Sequence, residues 1–496
     1  MGMFTISRRA LLLVSIFYFF SYPEVDPDLW GHLFFGRQIL QSGGLPAQNL
    51  YSYTAPHYLW INHEWLSEII LYGVFAILGS PGLILLKLVI GASIVWILRR
   101  VMQARGVAPL PRTLTLVWTM ALLSRGFNVR PQIFTYLLFS IFLALFYQQK
   151  ETGTKDRYIF PALTILWVNL HGGFVAGLGA LGLFSLWKVF AGGFRAGSAR
   201  IALVRSLPLA LSVIASVLNP YGINLWSFLA KDLFLDRPIT EWQPIPLTTL
   251  SFLEFQLAVP LVLIFCLKKS VWRRWDFVLV LLTAFLAFRH QRHATLFAIA
   301  AAPLLAGALQ PICQWVEERA RTWFLTAALL AVVLYQSLGA GRIHLHHRLQ
   351  LVVGLGEYPI QAADFLQRNG IKGNLAVPFD WGEYLIWKLY PAVRVSIDGR
   401  YTTAYPMEVL QDNWEWMEGG KEWKKLLDRY QTDIAITNRV HPVTALLRKD
   451  PEWVYIYSDP VAFVFVRKTT SQERLLTRFK ERALLPPEPP PIHFPG

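Results

Sequence analysis

Long apolar runs dominate the first 340 residues of the chain, and short polar segments separate them. Because a helix needs about 20 apolar residues to cross a bilayer, such runs predict transmembrane helices. After residue 340 the pattern changes to short alternating segments, which are typical of a globular domain. The candidate spans lie near 8–22, 65–79, 82–101, 112–124, 131–148, 158–170, 172–190, 202–218, 252–267, 276–289, 293–310 and 322–340.

The region after residue 340 alternates helical and extended patterns. This alternation predicts a small α/β domain with a partly parallel sheet over 341–470, followed by a charged and Pro-rich tail over 471–496. The predicted elements are a helix at 359–369 ended by Gly370, a strand at 374–379, a helix at 381–389, a strand at 393–398, helices within 406–430, a strand at 433–437 and a hairpin around 459–460.

Basic residues between the apolar runs predict the topology. Arg8 and Arg9 favour a cytoplasmic N-terminus, which places the loop 23–63 outside. If 65–79 crossed the membrane, nearly every later basic loop would also lie outside, against the positive-inside rule. If 65–79 lies in the interface, these loops become cytoplasmic together. We therefore expect about eleven transmembrane helices over 1–340, interfacial helices beside them, and an extracytoplasmic C-terminal α/β domain.

Composition supports a membrane protein and excludes several other classes. The chain is 54% hydrophobic and only 16% charged, which is unlike a soluble domain. Its net charge of +15 is spread between the apolar segments rather than gathered in a basic patch with aromatics, so nucleic acid is not expected as a partner. The two cysteines give no disulfide framework.

An acidic stretch directly follows the first span and contains Asp26, Asp28 and His32. The simplest interpretation is a helix cap, with Asp26 at the N-cap and Pro27 at the first helical position. The helix would end at Gly43 and would bring Asp28 and His32 onto one face. Two acids and an imidazole at the membrane surface are also the groups expected of a general base or a cation ligand.

A second polar cluster opens the segment 65–79. Asn62 is a candidate helix cap, and His63 and Glu64 follow it. Glu64 and Glu68 are four residues apart and share a helical face, where two ionised carboxylates repel each other. Such a pair requires a proton, a cation or a substrate group between its members.

Arginines in short outside loops run against the topological rule and therefore require an explanation. One explanation is an anionic ligand, since guanidinium groups suit phosphate; the other is contact with lipid headgroups. The predicted outside loops carry Arg125, Arg130, His171, Glu241, Arg289, His290, Arg292 and His293.

These features together resemble the GT-C superfamily of membrane glycosyltransferases, which take sugars from polyprenyl-phosphate or pyrophosphate carriers at the outer face. In that superfamily an acidic motif in the first outside loop carries catalysis, and Asp26-Pro27-Asp28 is its counterpart here. The stretch 378–386 also looks like the Trp-Trp-Asp-Tyr-Gly region of oligosaccharyltransferases, although the Trp pair is absent. This resemblance implies a role in acceptor selection for Asp380, Tyr384, Arg394, Asp398 and Arg400.

The resemblance implies an inverting transfer to a protein, lipid or glycan acceptor, in a bacterial inner membrane. The expected catalytic residues are Asp26, Asp28, Glu64 and Glu241, and the expected substrate-binding residues are His32, His63, Arg130, His171, Arg289, His290, Arg292, His293, Asp380, Tyr384, Arg394, Asp398 and Arg400. A divalent cation, Mg²⁺ or Mn²⁺, is a further candidate, with Asp26, Asp28 and Glu241 as its ligands. A transporter and a non-catalytic scaffold that binds lipid-linked glycans are the alternatives.

Overall fold

The protein divides into two compact units, each built from two separate parts of the chain. Unit 1 contains residues 1–23 and 81–349, and unit 2 contains residues 24–80 and 350–496. The predicted basic loops at 150–157 and 195–205 lie partly outside the described residues. The computed structural model describes residues 2–148, 156–191, 198–232, 239–268, 271, 274–347, 349–491 and 493–496.

Among the described residues, the regular structure of unit 1 consists of helices. Most of them coincide with the apolar runs, which are expected to be helical because a helix satisfies its backbone polar groups within the segment. They are α1 Gly2–Phe20, the second part of α3 Trp65–Ala104, α4 Pro109–Ser124, α5 Gln132–Gln148, α6 Asp156–Leu170, α7 Phe174–Ala191, α8 Ser198–Ala215, α9 Asn224–Asp232, α10 Leu253–Lys268, α11 Trp275–Arg289, α12 Ala294–Arg319 and α13 Thr322–His347.

Helix α12 forms the core of unit 1. It packs against α4, α5, α10 and α11, and the helical stretch that contains it is far more buried than the other apolar helices. Its first half is rich in alanine, and small side chains let neighbouring helices approach closely. Five helical stretches in the described residues are long and apolar enough to cross a membrane, and they include α1, α3, α12 and most of α13.

Helix α3 contains a break that separates the two units. Gly79 has φ 63° and ψ −159°, a backbone conformation that is essentially restricted to glycine, and Pro81 follows it. The chain up to Ser80 belongs to unit 2, and the chain from Pro81 belongs to unit 1. The segment 65–79 is therefore a separate helical piece, as its short length and its acids suggest.

Unit 2 is an α/β structure around a five-stranded sheet. Its elements are α2 Leu29–Ser42, the first part of α3, α14 Ile360–Arg368, β1 Gly373–Ala376, α15 Gly382–Leu389, β2 Val393–Val395, α16 Met407–Glu418, α17 Lys425–Arg429, β3 Ile434–Asn438, α18 Val443–Lys449, β4 Trp453–Ser458, β5 Ala462–Arg467 and α19 Glu473–Lys480. The strand order in the sheet is β2-β1-β3-β5-β4. Strands β2, β1 and β3 are parallel, whereas β5 runs antiparallel to β3 and β4.

The segment 24–80 is part of the same fold as this sheet. Tyr53 N–H donates to the carbonyl of Val395, and Val395 N–H donates to the carbonyl of Tyr51, so the segment pairs along the outer edge of β2. At the end of the chain, Phe494 is buried with its ring 5.4 Å from that of Trp30. The Pro-rich tail therefore ends in an aromatic contact with α2, where its composition suggests only an extended or disordered end.

The start of α2 agrees with the cap expected at Asp26. The Asp26 carboxylate accepts the backbone N–H of Asp28 at 3.1 Å, and its carbonyl accepts the N–H of Leu29 at 3.0 Å, as a cap residue followed by proline does. The regular helix begins at Leu29, and Asp28 before it is helical and makes no capping bond with its side chain. The predicted stop is correct, because Gly43 is left-handed with φ 69° and its N–H donates to the carbonyl of Ile39.

Candidate active site

The predicted acids of the first loop differ in their exposure. Asp26 is buried, with 6% of its surface exposed, whereas Asp28 is only partly buried. Because the Asp26 carboxylate accepts the backbone N–H of Asp28, it fixes the backbone position from which the Asp28 side chain extends. Asp28 is the more exposed acid of this pair, and their catalytic roles stay a prediction.

Glu383 in the first turn of α15 lies beside Asp28. Two glycines make room for it: a Cβ on Gly31 would overlap the Glu383 carboxyl group, and a Cβ on Gly399 would meet both Asp28 Oδ1 and Glu383 Oε1. Glu383 is 4% exposed, and its Oε2 makes no hydrogen bond with any residue described. Burial first, and then the charges of Asp28 and Asp398, raise the pKa of Glu383 well above its ordinary value.

His32 continues this cluster one helical turn after Asp28. Its Nδ1 lies 3.5 Å from Glu68 Oε1, and Asn62 Nδ2 donates to Glu68 Oε2 at 2.6 Å. Burial lowers the pKa of His32, but the bond to Glu68 and the charges of Glu64, Glu68 and Asp28 outweigh it, and the net pKa is raised. The structure thus brings Asp28, His32 and the start of α3 into one buried polar network.

Asn62 has the role that its sequence position predicts. Its side-chain oxygen accepts the backbone N–H of Glu64 at 3.2 Å, which caps this helix end. Glu64 is only partly buried, with its Oε1 3.9 Å from Nε2 of His63. Burial raises the pKa of Glu68 and the charge of Glu64 raises it further, although His32 and Asn62 act in the opposite direction. The predicted repulsion between Glu64 and Glu68 is therefore present.

Asp398 and Arg400 form a buried ion pair. Arg400 Nε donates to Asp398 Oδ1 at 2.7 Å, and its Nη2 donates to Asp398 Oδ2 at 2.6 Å. The guanidinium also donates to Asn49 at 2.8 Å and lies over the ring of Trp60 at 4.6 Å. All these contacts are internal to unit 2, and they join the segment 24–80 to the sheet.

The other predicted acceptor residues occupy different surroundings. Asp380 and Arg394 are exposed, so both can contact a ligand. Tyr384 is fully buried, with its ring 5.1 Å from that of Trp30, and its hydroxyl makes no hydrogen bond within the described part of the chain. Acceptor selection by these residues stays a prediction.

Unit 1 brings together three of the predicted residues from distant loops. Arg130 Nη1 lies 3.7 Å from Glu241 Oε2, and Arg292 Nη1 lies 3.2 Å from Glu241 Oε1. The Arg292 guanidinium also lies over the ring of Trp242 at 4.5 Å. Two arginines and one glutamate leave one positive charge in excess, which suits an anion.

The remaining predicted residues of unit 1 mostly support its loops. His290 Nδ1 lies 2.6 Å from the carbonyl of Trp242, and the rings of His290 and His293 are 5.8 Å apart. His171 is buried, where its Nδ1 accepts the N–H of Gly173 at 2.9 Å. Arg289 is exposed. The two histidines thus belong to the same loop cluster as Arg292, whereas His171 closes a turn between α6 and α7.

The proposed metal ligands do not form one donor set within either unit. Asp26 and Asp28 belong to unit 2, and Glu241 belongs to unit 1, where two arginines pair with it. Among the described residues, no group of three or more His, Cys, Asp or Glu side chains is placed to hold a metal ion. Metal dependence stays a prediction.

Glu383 is the site residue that sequence reasoning did not select, and Glu68 entered it only as the partner of Glu64. Both occupy first turns of helices, where acids are common because they favour the helix dipole. The available signal was the pair of glycines opposite Glu383, since Gly31 inside a helix is unfavourable without a packing reason. The glycines point to Glu383 only once it is known that α2 packs against α15.

Solved structures share this fold. The chain matches ArnT from Cupriavidus metallidurans bound to undecaprenyl phosphate with a TM-score of 0.51 at 13% identity, over 95% of this chain and 98% of ArnT. The apo form of ArnT gives 0.52 at 14%, over 94% and 97%. The mycobacterial arabinofuranosyltransferase AftD gives 0.52 at 14%, over 93% of this chain and 41% of AftD. No protein-family model and no curated protein sequence matches the chain.

These matches define the class of the fold as that of a polytopic helical membrane protein. More particularly, it is the fold of ArnT and of the arabinofuranosyltransferase AftD. The resemblance drawn from the acidic motif and the apolar runs is thereby confirmed at the level of the fold.

Proposed function

We propose that the protein is a membrane glycosyltransferase that moves a sugar from a polyprenyl-phosphate carrier to an extracytoplasmic acceptor. One observation carries this proposal: Asp28, partly exposed at the start of α2, lies beside the buried carboxyl group of Glu383, whose Oε2 has no hydrogen-bond partner among the described residues. The shared fold supports it, since ArnT was solved with undecaprenyl phosphate. The C-terminal unit would then face the outside of the cell.

Asp28 is the base of the proposed reaction. An acceptor hydroxyl attacks the anomeric carbon of the donor sugar, its proton passes to the Asp28 carboxylate, and the bond from that carbon to the phosphate oxygen breaks. The products are the glycosylated acceptor and the carrier phosphate, which keeps the electron pair. Asp26 acts through Asp28, because it holds the backbone N–H of that residue.

Within unit 1, Arg130 and Arg292 are the proposed binding groups for a polyprenyl phosphate. Guanidinium stays charged and offers paired donors that match phosphate oxygens. In the structure Glu241 occupies these donors at 3.2 and 3.7 Å, so a phosphate would compete with an ion pair of modest geometry. Glu241 would then regulate access to the arginines rather than act as an acid.

The test separates catalysis from carrier binding. Asp28→Asn should lower transfer of a labelled hexose from its undecaprenyl-phosphate carrier at least about 100-fold, because a general base contributes that much, while binding of undecaprenyl phosphate is unchanged. Arg292→Gln should weaken that binding. Asp26→Asn should have a smaller effect than Asp28→Asn, because it changes only the position of the base.

Glu418→Gln is the matched control, because Glu418 is an exposed acid in unit 2 and its replacement should leave transfer unaltered. Full transfer by the Asp28→Asn variant would disprove the assignment of the base. Carrier binding without transfer in the unmodified protein would instead favour a lipid-linked-glycan scaffold.

A further inference from the structure

The strongest unexplained feature of unit 2 is the carboxyl group of Glu383. A buried carboxyl group without a hydrogen-bond partner is costly, and its Oε2 has none in the described residues. Asp398, close by in the same unit, receives hydrogen bonds from Arg400 and Tyr405. The fold can therefore satisfy a buried carboxylate, yet it leaves Glu383 unsatisfied.

Three glycines make room for the carboxyl group of Glu383. A Cβ on Gly31 would overlap this carboxyl group, and a Cβ on Gly399 would overlap Asp28 Oδ1 and lie 3.0 Å from Glu383 Oε1. Gly382, which precedes Glu383, packs so closely on the backbone of Ile397 and Asp398 that a Cβ there would overlap them. Three glycines thus hold the carboxyl beside the proposed base.

We propose that Glu383 binds a sugar hydroxyl next to Asp28, and that this hydroxyl is the partner missing from its carboxyl group. A carboxyl in this position can both donate to and accept from a hydroxyl, which a hydroxyl reciprocates. Glu383 would thereby hold the sugar against the base. This inference rests on the proposed function, and the hydroxyl belongs either to the donor sugar or to a glycan acceptor.

Two substitutions distinguish a binding role from a structural one. Glu383→Met keeps the length of the side chain but removes its hydrogen bonds, so the melting temperature should rise while kcat/KM falls about 10- to 100-fold. Glu383→Gln keeps a donor and an acceptor and should retain most of the activity. Asp398→Asn, which weakens a satisfied carboxylate, should lower the melting temperature instead.

The kinetic constants identify the source of the hydroxyl. In Glu383→Met, a raised KM for undecaprenyl-phosphate hexose indicates the donor sugar, and a raised KM for the glycan acceptor indicates the acceptor. Glu418→Gln, at an exposed position, should leave both constants unchanged. Wild-type kinetics in Glu383→Met would overturn the proposal, and so would a lower melting temperature with equal inactivity of the Met and Gln variants.

A binding measurement keeps this inference separate from the proposed function. Undecaprenyl-phosphate hexose should raise the melting temperature of the wild-type protein more than bare undecaprenyl phosphate does, or methyl hexoside should raise it alone. The sugar-dependent part of the shift should disappear in Glu383→Met even if no transfer is ever observed. A sugar-dependent shift that persists in this variant, or none in the wild type with either probe, would overturn the role of Glu383.

Discussion

Two buried carboxyl groups, those of Asp398 and Glu383, have opposite surroundings although both belong to unit 2. Asp398 is held by Arg400 at 2.6 and 2.7 Å and by the Tyr405 hydroxyl at 2.5 Å. A buried charge is tolerated when it is paired in this way. Glu383 Oε2 has no such partner among the described residues. At the residue scale, the described part of the fold supplies hydrogen-bond donors to the carboxylate of Asp398 and none to Oε2 of Glu383.

His32 gives a pH-dependent prediction at the same scale. Its pKa is raised, because Glu68, Glu64 and Asp28 outweigh the effect of burial. A group with a raised pKa in the folded state contributes its full stability below its unfolded pKa of 6.5 and loses it as the pH rises through the folded value. The melting-temperature difference between wild type and His32→Gln should therefore shrink from about pH 6 upward.

Thermal unfolding of both proteins in detergent across this pH range measures the difference directly. A stability difference that grows with rising pH would show that His32 is held neutral by its burial. His441→Gln provides a contrast, since burial lowers the pKa of His441. Its contribution is present above the unfolded pKa and is lost as the pH falls.

At the element scale, helix α2 contains two glycines that pack closely against other parts of unit 2. Gly31 faces Glu383, and a Cβ on Gly36 would overlap the backbone carbonyl of Glu68. Replacing a helical glycine with alanine usually stabilises a helix. In α2 the steric overlap costs more than the alanine gains, because the added Cβ would overlap the Glu383 carboxyl group or the Glu68 carbonyl.

Gly31→Ala should therefore destabilise the protein by about 1–3 kcal/mol, the usual cost of overpacking, and should lower transfer. Gly73→Ala is the matched control, since Gly73 lies in α3 with nothing within 4 Å of its Cβ position, and it should be neutral or stabilising. Melting temperatures of the two variants test this. Equal gains in stability would show that Glu383 moves away from Gly31 at little cost.

Local sequence patterns were sufficient to place most elements. Gly370 and Gly43 end α14 and α2 in left-handed conformations. Strand β2 lies within the predicted stretch 393–398, and β1 begins one residue before the predicted stretch 374–379. At the start of α2 the pattern names Asp26 as the cap, and its carboxylate accepts the N–H of Asp28, although the regular helix begins only at Leu29. The pattern did not select Glu383, whose neighbours are distant in sequence.

At the scale of the whole molecule, each compact unit combines two separate stretches of chain. The loop after the first span shares unit 2 with the C-terminal sheet, so its acids and those after residue 350 belong to one structure. The break at Gly79 marks the return of the chain to unit 1. An interfacial segment at 65–79 remains the basis for the predicted topology.

This topology is tested with reporter fusions. A reporter inserted near Lys155 should be cytoplasmic, and a reporter after Gly496 should be outside, because 65–79 does not cross in the predicted arrangement and the basic loops stay inside. Protease or labelling accessibility in intact cells gives the readout. An outside signal near Lys155 would reverse the predicted orientation of the arginine loops.

The sequence by itself determined the apolar helices, most of the helices and strands after residue 350, and the acidic motif, because these depend on residues close together along the chain. It did not predict α18 or α19. Only the tertiary structure decided that Asp28 lies beside Glu383, that Asp26 supports Asp28 and that Glu241 lies between two arginines. These pairings join residues far apart in sequence or depend on exact backbone geometry. Hydrophobic periodicity carries no information about such contacts, since it reports only which face of each element is buried.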